Sequence, residues 1–461
     1  MTTPSYESRD LDRLLDDRID QGVFRVHPES FTDPELFDLE MSRVFETTWI
    51  FLGLESEVAN PHDYVTREIG RRSVILMRDG KGKLRCFFNS CRHRGTMLCP
   101  LQAGNKKLHV CRYHGWTYNS EGRNVGVTYQ EQAQYPANFA TEDRSLHTVA
   151  KLDSYRGFIF ACLSDQTPSL SDHLGDAKLM LDLVADQAPD GLEFVPGAAT
   201  YTFDANWKMQ FENGLDAYHF PSTHAAFVNI VKAREPLPVP GHLNEITSCP
   251  DDIAAGTINF PRGHSMSWSV GAPGQGAENR PLTRDVKIFE KVRQQVGKAR
   301  LNWMLRQRNL TIFPNLQVID IQSLQLRKWE PLSVNETRMT SHCLAPKGED
   351  PSARAFRIRQ YEEFFNAGGL ATADDNVMYE FGQAGFASTP TAPSHPYARG
   401  MAANGKSSEP FATLGLTDAT YTHSDAGLSF GDETGIHGGY REWHRLLKED
   451  PQHRKATDKG E

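Results

Sequence analysis

Apolar and polar positions change rhythm several times along this chain. In "FTDPELFDLEMSRVFETTWIFLG", Leu36, Leu39, Val44 and Phe45 recur at helical spacing. Thr32-Asp33-Pro34-Glu35 ahead of them supplies a capping residue, a proline and a glutamate, the marks of a helix start. The preceding residues 1–30 are polar and predict a surface helix with an extended arm. From about Trp49 to Tyr118 the rhythm shortens. Runs such as "SVILMRD", "LRCFFNS" and "LHVCRYH" are separated by Asp-Gly, Lys-Gly and Gly-Asn turns, which predicts a small antiparallel β domain. "YRGFIFACL", residues 155–163, reads as a strand opening a second, larger domain. That domain takes a strand at "GAATYTFDA", a helix from about Trp207, and strands within "NLTIFPNLQVIDIQSLQLRKWEPL" and "ETRMTSHCLAP". Helices follow from about Pro351 to Ala367 and near Asp374 to Gly385. Residues 386–435, rich in Gly, Ser, Thr, Ala and Pro, predict little regular structure, and "YREWHRLLKED" a short closing helix. The fold class is therefore α+β, divided into an N-terminal helical segment (1–48) packing on the larger domain, a small β domain (49–154), and a larger domain with a loop-rich tail (155–461).

Composition narrows the setting. The chain has 461 residues and a formal net charge of −9, with no lysine- or arginine-rich run, so nothing favours a nucleic-acid partner. The N-terminus is charged and lacks the apolar core of a signal peptide, and no apolar run reaches the roughly 18 residues of a membrane-spanning helix. Seven cysteines are too few, and odd in number, for a disulfide scaffold, which points to a reducing cytoplasm.

In that setting, clustered Cys and His read as metal ligands. Cys91 and His93 form one pair, Cys111 and His114 a second, with 17 residues between the pairs, from Arg94 to Val110. Each pair offers one thiolate and one imidazole beside a turn glycine, Gly95 or Gly115, that lets backbone N–H groups approach a sulfide. Structural zinc favours two like ligands on at least one side, so a zinc knuckle is the weaker alternative. Unlike half-sites fit a Rieske 2Fe–2S cluster, with two thiolates on one iron and two imidazoles on the other. The aromatics of "CRYHGWTY" are expected beneath the cluster, whereas Cys86 and Cys99 fall outside the motif and read as packed core thiols.

Such a cluster passes single electrons, so a consumer is needed. In "ANWKMQFENGLDAYHFPSTHAAF", Glu212, Asp216 and His219 fall on one face of a helix, with His224 beyond Pro221, where a helix break would re-aim it. Two histidines need one carboxylate to form a facial triad for non-haem iron. Asp374 and Asp375 of "LATADDNVMYEF" are the best source, although at a helix start they would serve equally as caps. His219 and His224 could also be plain structural histidines, leaving an electron carrier with the cluster alone.

These blocks together resemble the large (α) subunit of Rieske non-haem iron ring-hydroxylating oxygenases. The cluster motif, "NWK", "ENGLDAYH" with its downstream His, and "ADD" stand in that family's order over nearly the whole chain. "FTDPELFDLEM", "RNLTIFPNL" and "ARAFRIRQYEEFFNAGGLAT" resemble the benzoate/toluate/anthranilate 1,2-dioxygenase group within it. The resemblance implies a small Rieske domain and a helix-grip catalytic domain. It implies that Cys91, His93, Cys111 and His114 hold one 2Fe–2S cluster, and that His219, His224 and Asp375 hold one Fe(II), Asp375 matching the family's ligand rather than Asp374. Asp216 would bridge to a cluster histidine of a neighbouring subunit, because cluster and iron of one chain lie far apart in the family. Further implications are a homotrimer or an α3β3 assembly with a small β subunit, and an NADH-dependent flavin/iron–sulfur reductase. The reaction implied adds both atoms of O2 to an aromatic substrate, a benzoate-like acid, giving a cis-dihydrodiol, with monooxygenation or demethylation on the same fold as the alternative. A carboxylate substrate needs a cation, for which Arg327 in "QSLQLRKW" is the candidate and Arg308 its rival; an ordinary exposed arginine is the other reading of Arg327. The run "FPSTHAAFVNIVKAREPLPVPG" departs from that group, in a region expected to line the substrate approach.

Overall fold

A computed structural model describes residues 11–234, 253–270, 277–391, 395–403, 414–425 and 432–449. The latter part of the divergent run after His224, from residue 235, lies outside them, as do residues 1–10. The chain divides into two compact units, Phe45–Leu170 and the remainder, Met1–Val44 with Ser171–Glu461.

The smaller unit is built from ten short strands: β1 (Ile50–Leu54), β2 (Asp63–Ile69), β3 (Arg72–Arg78), β4 (Leu84–Phe88), β5 (Ala103–Asn105), β6 (Leu108–Val110), β7 (Thr117–Asn119), β8 (Asn124–Gly126), β9 (Lys151–Tyr155) and β10 (Phe158–Cys162). They form antiparallel sheets in the orders β4–β3–β2–β5, β8–β7–β6 and β9–β10–β1. The last of these runs past the expected boundary at residue 155. β10 pairs with β1, Ile50 opposite Ala161, so it closes the smaller unit instead of opening the larger one. Every residue of both strands is buried, and a continuous apolar run carries no alternation to show which neighbour it serves.

In the larger unit the expected helix start is present. Asp33 caps α1 (Pro34–Glu40), its Oδ1 accepting from the N–H groups of Glu35 and Leu36 at 2.8 and 3.0 Å. Residues 11–30 hold a short hairpin, Leu15–Arg18 against Val23–Val26, where a surface helix was expected. Gly22 at φ +70° turns it, a local signal that polarity masked. The scaffold of the unit is a nine-stranded antiparallel sheet. Its strands are β11 (Leu192–Phe194), β12 (Ala199–Phe203), β13 (Ile253–Asn259), β14 (Ser265–Ser269), β15 (Gln307–Ile312), β16 (Leu316–Asp320), β17 (Leu324–Ser333), β18 (Glu336–Pro346) and β19 (Thr420–Asp425). They run in the order β11–β18–β17–β16–β15–β14–β13–β19, with β12 also on β18.

Six further helices matter to the site: α2 (Trp207–Asn213), α3 (Ala225–Lys232), α4 (Val286–Leu305), α5 (Pro351–Gln360), α6 (Leu370–Ser388) and α7 (Thr434–Lys448). A π-helical turn, Tyr361–Phe365, follows α5. α7 begins before the expected "YREWHRLLKED", because Gly435, Gly438 and Gly439 read as loop. They serve close approach instead: a Cβ on Gly439 would stand 2.0 Å from the Phe211 ring. Glu40 ties the N-terminal segment to this framework. Its carboxylate is buried, paired with Lys208 Nζ, and accepts from Trp207 Nε1 and Trp443 Nε1 at 3.0 and 2.7 Å. Its acceptor sites are filled by three donors, the condition under which a buried charge is tolerated.

Candidate metal centres

In the smaller unit the two Cys/His pairs sit on matching loops. The Gly95 N–H donates to Cys91 O and the Gly115 N–H to Cys111 O, both at 2.9 Å. Cys91 N–H donates to Thr96 O at 2.9 Å and Cys111 N–H to Trp116 O at 2.8 Å. Gly95 and Gly115 take φ of +72° and +71°, a turn that glycine makes without strain. The loops bring the imidazoles of His93 and His114 together, Nδ1 to Nδ1 at 3.1 Å. The Cys91 and Cys111 thiols are buried in the unit's core, whereas His93 lies at the surface. Trp116 stacks on His93 with centroids 4.8 Å apart, and Tyr118 Oη lies 3.3 Å from Cys91 Sγ while accepting from Arg92 N–H. The aromatics are thus where "CRYHGWTY" put them. Burial pushes the Cys91 thiol up, so a thiolate there requires a cation against it. Two convergent thiols and two convergent imidazole nitrogens fit a 2Fe–2S cluster with its imidazole end toward solvent. Cys86 is a buried core thiol, and Cys99 Sγ meets His109 Nδ1 at 3.1 Å outside the loops.

In the larger unit, His219, His224 and Asp375 each place one donor atom within 4.8 Å of the others. The local chain differs from the expected continuous helix. α2 ends at Asn213, and Asp216 and His219 belong to an irregular turn ending in a 3-10 segment, Ala217–His219. Pro221 sits in the first turn of a four-residue helix, Phe220–Thr223, where its missing N–H is harmless. The break falls at His224 itself, with φ −102° and ψ 33°. Gly214 makes the turn possible, because a Cβ there would lie 1.5 Å from the Gln317 amide nitrogen on β16. Gln317 is fully buried and fixed, donating to Thr311 and accepting from Gln210.

Both histidines turn Nε2 toward Asp375 Oδ1, at 3.5 Å from His219 and 3.1 Å from His224. Their Nδ1 atoms point away, to the Asp216 carbonyl for His219 and toward Asp374 Oδ2 at 3.5 Å for His224. Asp216 Oδ1 stands 3.9 Å from His219 Nδ1. Oxygen acceptors behind a ligand imidazole fix its tautomer and raise its basicity. Burial lowers the His219 pKa, but the Asp216 contacts and the Asp375 charge outweigh it and leave it raised. α6 begins at Leu370 with Gly369 as its cap, so neither aspartate caps the helix. Asp375 is buried, while Asp374, the residue before it on the helix, is half-buried with its carboxylate turned outward. Two imidazoles and one carboxylate on one side of a shared point are the donor set of a facial triad, and the residues fit a non-haem iron. Asn213 was missed by sequence reasoning. Its Nδ2 donates to Asp375 Oδ1 at 3.1 Å and lies 3.3 Å from His219 Nε2. Its only sequence signal is its place beside Glu212.

Comparison with known proteins decides the family. The Rieske [2Fe-2S] domain model matches residues 48–150, and the ring hydroxylating alpha subunit (catalytic domain) model matches residues 193–449. The chain belongs to the ring-hydroxylating oxygenase α subunits. Toluate 1,2-dioxygenase subunit alpha of Pseudomonas putida is 39% identical over 381 residues, 82% of each chain. Anthranilate 1,2-dioxygenase large subunit of Acinetobacter baylyi is 40% identical over 382 residues, 81% of this chain and 79% of that one. Naphthalene 1,2-dioxygenase from Rhodococcus sp. bound to indole superposes with a TM-score of 0.78 at 26% identity, covering 92% of this chain and 94% of that one. The protein is thus a terminal oxygenase subunit, a non-haem iron oxidoreductase whose family uses a Rieske cluster, a mononuclear iron and NADH electrons delivered by a reductase, often with a β subunit. Among the described residues, no helix is long and apolar enough to cross a membrane.

Proposed function

We propose that this ring-hydroxylating α subunit dihydroxylates the ring of an aromatic acid of the benzoate class, with Arg327 holding the substrate carboxylate. The observation that carries this is a buried cation without an anion. Arg327 is 3% exposed. Its Nη2 donates to Thr372 Oγ1 at 3.0 Å, Phe365 lies 5.8 Å from its Cζ, and its Nε has no acceptor. No carboxylate pairs with it among the described residues. A buried unpaired charge is strongly unfavourable, so a guanidinium kept there calls for an anionic ligand. Thr372 and Asp375 are one turn apart on the buried side of α6, which sets the guanidinium close to the triad. The rival Arg308 is spent: it lies on the other face of the sheet, paired with Asp320. The toluate and anthranilate dioxygenases among the relatives are named for aromatic acids, which supports the same class.

In this reading Cys91, Cys111, His93 and His114 hold the cluster, and His219, His224 and Asp375 hold the iron. The iron, when bound, supplies the activation of O2. Phe220 and Phe364, which pack against His224, and Phe227, which packs behind both, keep the surroundings apolar and exclude water. Asn213 steadies the Asp375 carboxylate. Asp216, partly exposed, links His219 to a cluster histidine of a neighbouring subunit, so the working unit is a homotrimer or an α3β3 assembly served by an NADH-dependent flavin/iron–sulfur reductase in the cytoplasm. The test is a product screen with labelled O2 and a surrogate reductase. An aromatic acid should yield a diol with two labelled oxygens. Arg327→Gln should lower kcat/KM for that acid by about 100-fold, the effect of removing one side of a desolvated charge pair. Equal kcat/KM in wild type and variant, or turnover confined to uncharged arenes, rules out the carboxylate anchor.

A further inference from the structure

The sheet face that carries Arg327 is unusually polar for a buried surface. On it, Ser267, Asn309, Ile319, Gln325 and Cys343 stand directly opposite one another across β14, β15, β16, β17 and β18. Ile319 and Cys343 belong to the aromatic cluster of Phe364 and Phe365, and Phe364 packs against His224. The row therefore borders the same aromatic cluster that packs on His224. Its three polar members are buried, with exposures of 1% for Ser267, 7% for Asn309 and 0% for Gln325. Ser267 Oγ, Asn309 Oδ1 and Gln325 Nε2 nevertheless have no hydrogen-bond partner among the described residues.

The Gln325 amide is oriented by a directed chain. Tyr361 Oη donates to Ser341 Oγ at 3.0 Å, and Ser341 Oγ donates to Gln325 Oε1 at 3.3 Å. With its oxygen engaged on the β18 side, Gln325 keeps two N–H donors to offer. Asn309, across Ile319, offers an acceptor. Buried polar atoms are nearly always satisfied, and a small set left open beside a binding cavity is what a polar ligand group would complete.

We infer that Gln325 and Asn309, with Ser267 beside them, form a second polar subsite that takes a hydroxyl or amino substituent on the ring of the aromatic acid. This rests on the carboxylate reading of Arg327, which follows Gln325 by two residues along β17 and so shares its face of the strand. Gln325 donates to the substituent and Asn309 accepts its hydrogen. A methyl group of similar size leaves both amides stranded, so the row selects by hydrogen bonding where shape cannot.

The test is calorimetric binding to the resting holoenzyme without O2, using the monohydroxy- and monoaminobenzoates, the toluates as size-matched apolar controls, and phenol with toluene as an uncharged pair. The quantity read is the affinity ratio of polar over methyl substituent at the same ring position. In wild type the largest ratio should be about 10- to 100-fold. Gln325→Met and Asn309→Leu should each bring it to roughly twofold or less, and either variant carries the test where the other does not fold. Arg327→Gln should weaken all the acids together and leave the ratio standing. A wild-type ratio near one, as when water alone satisfies the row, overturns the subsite, and so does a ratio that survives both substitutions. If Arg327→Gln binds the acids as wild type does, the carboxylate reading falls, and the phenol-to-toluene ratio still judges the row.

Discussion

Glu212 stands in the last turn of α2, one residue before Asn213, and its carboxyl is enclosed by two phenols. Oε1 accepts from Tyr397 Oη at 2.8 Å and from Tyr440 Oη. Burial pushes its pKa up to about 7, against the two phenol hydrogen bonds that lower it, with the Asp216 charge adding to the rise. A carboxyl whose folded pKa is raised binds more protons folded than unfolded between the two pKa values. Its stabilising share is complete below the ordinary value of 4.5 and is lost as pH rises through about 7. A rise of that size corresponds to about 3 kcal/mol, and partial exposure of the residue trims it to about 2 kcal/mol. Glu212→Gln keeps an acceptor for both tyrosines and removes the titration. The assay is thermal unfolding from pH 5.5 to pH 8, followed by far-ultraviolet dichroism. About two-fifths of that loss is already complete at pH 5.5, so at about 2 °C per kcal/mol for a unit of this size the Tm of wild type should fall relative to the variant by about 2 °C across that range. Parallel curves would mean that Glu212 is ionised at both ends, and that the tyrosine pair does not hold a proton there.

Asp216→Asn should keep both metal centres occupied and lower coupled turnover by about 100-fold, checked by iron analysis beside product formation; normal coupled activity would remove Asp216 from electron transfer. His219→Ala should lose the mononuclear iron while the visible absorption of the cluster persists, and joint loss of both would contradict two independent centres. Gly214→Ala should displace Gln317 and with it the turn that carries His219. About 1–3 kcal/mol of overpacking should lower the Tm by several degrees and reduce mononuclear iron, with the cluster spectrum unchanged.

What the sequence disclosed depended on how far apart the cooperating residues lie. The cluster loops are local: each pair is closed by a turn within five residues, so spacing and a glycine were enough to read them. His219 and His224 were legible as a pair, but the path between them was not, because the helix ends where Gly214 meets Gln317 from a distant strand. Asp374 and Asp375 looked like caps because the helix start at Leu370 has an unremarkable Gly369 before it. Arg327 and Arg308 were equivalent candidates on alternation alone. Their opposite faces follow from register across β15, β16 and β17, which no single strand specifies. The Gln325–Asn309 row is hidden for the same reason, since its members meet only when five strands are aligned.

The pairing of β1 with β10 bears on how the molecule is made. The smaller unit departs from and rejoins the chain through adjacent strands, Ile50 beside Ala161, so its ends are already together and it can close as soon as residue 170 has left the ribosome. The first 44 residues cannot do the same. Glu40 must wait for Lys208 and then Trp443, at the far end of the chain, before its charge is satisfied. The electron-handling module is thus an insertion that interrupts an older-reaching contact, and it is the piece best placed for excision, exchange or separate expression, whereas removing the N-terminal segment would strip the larger unit of an anchor laid down before any of its sheet exists.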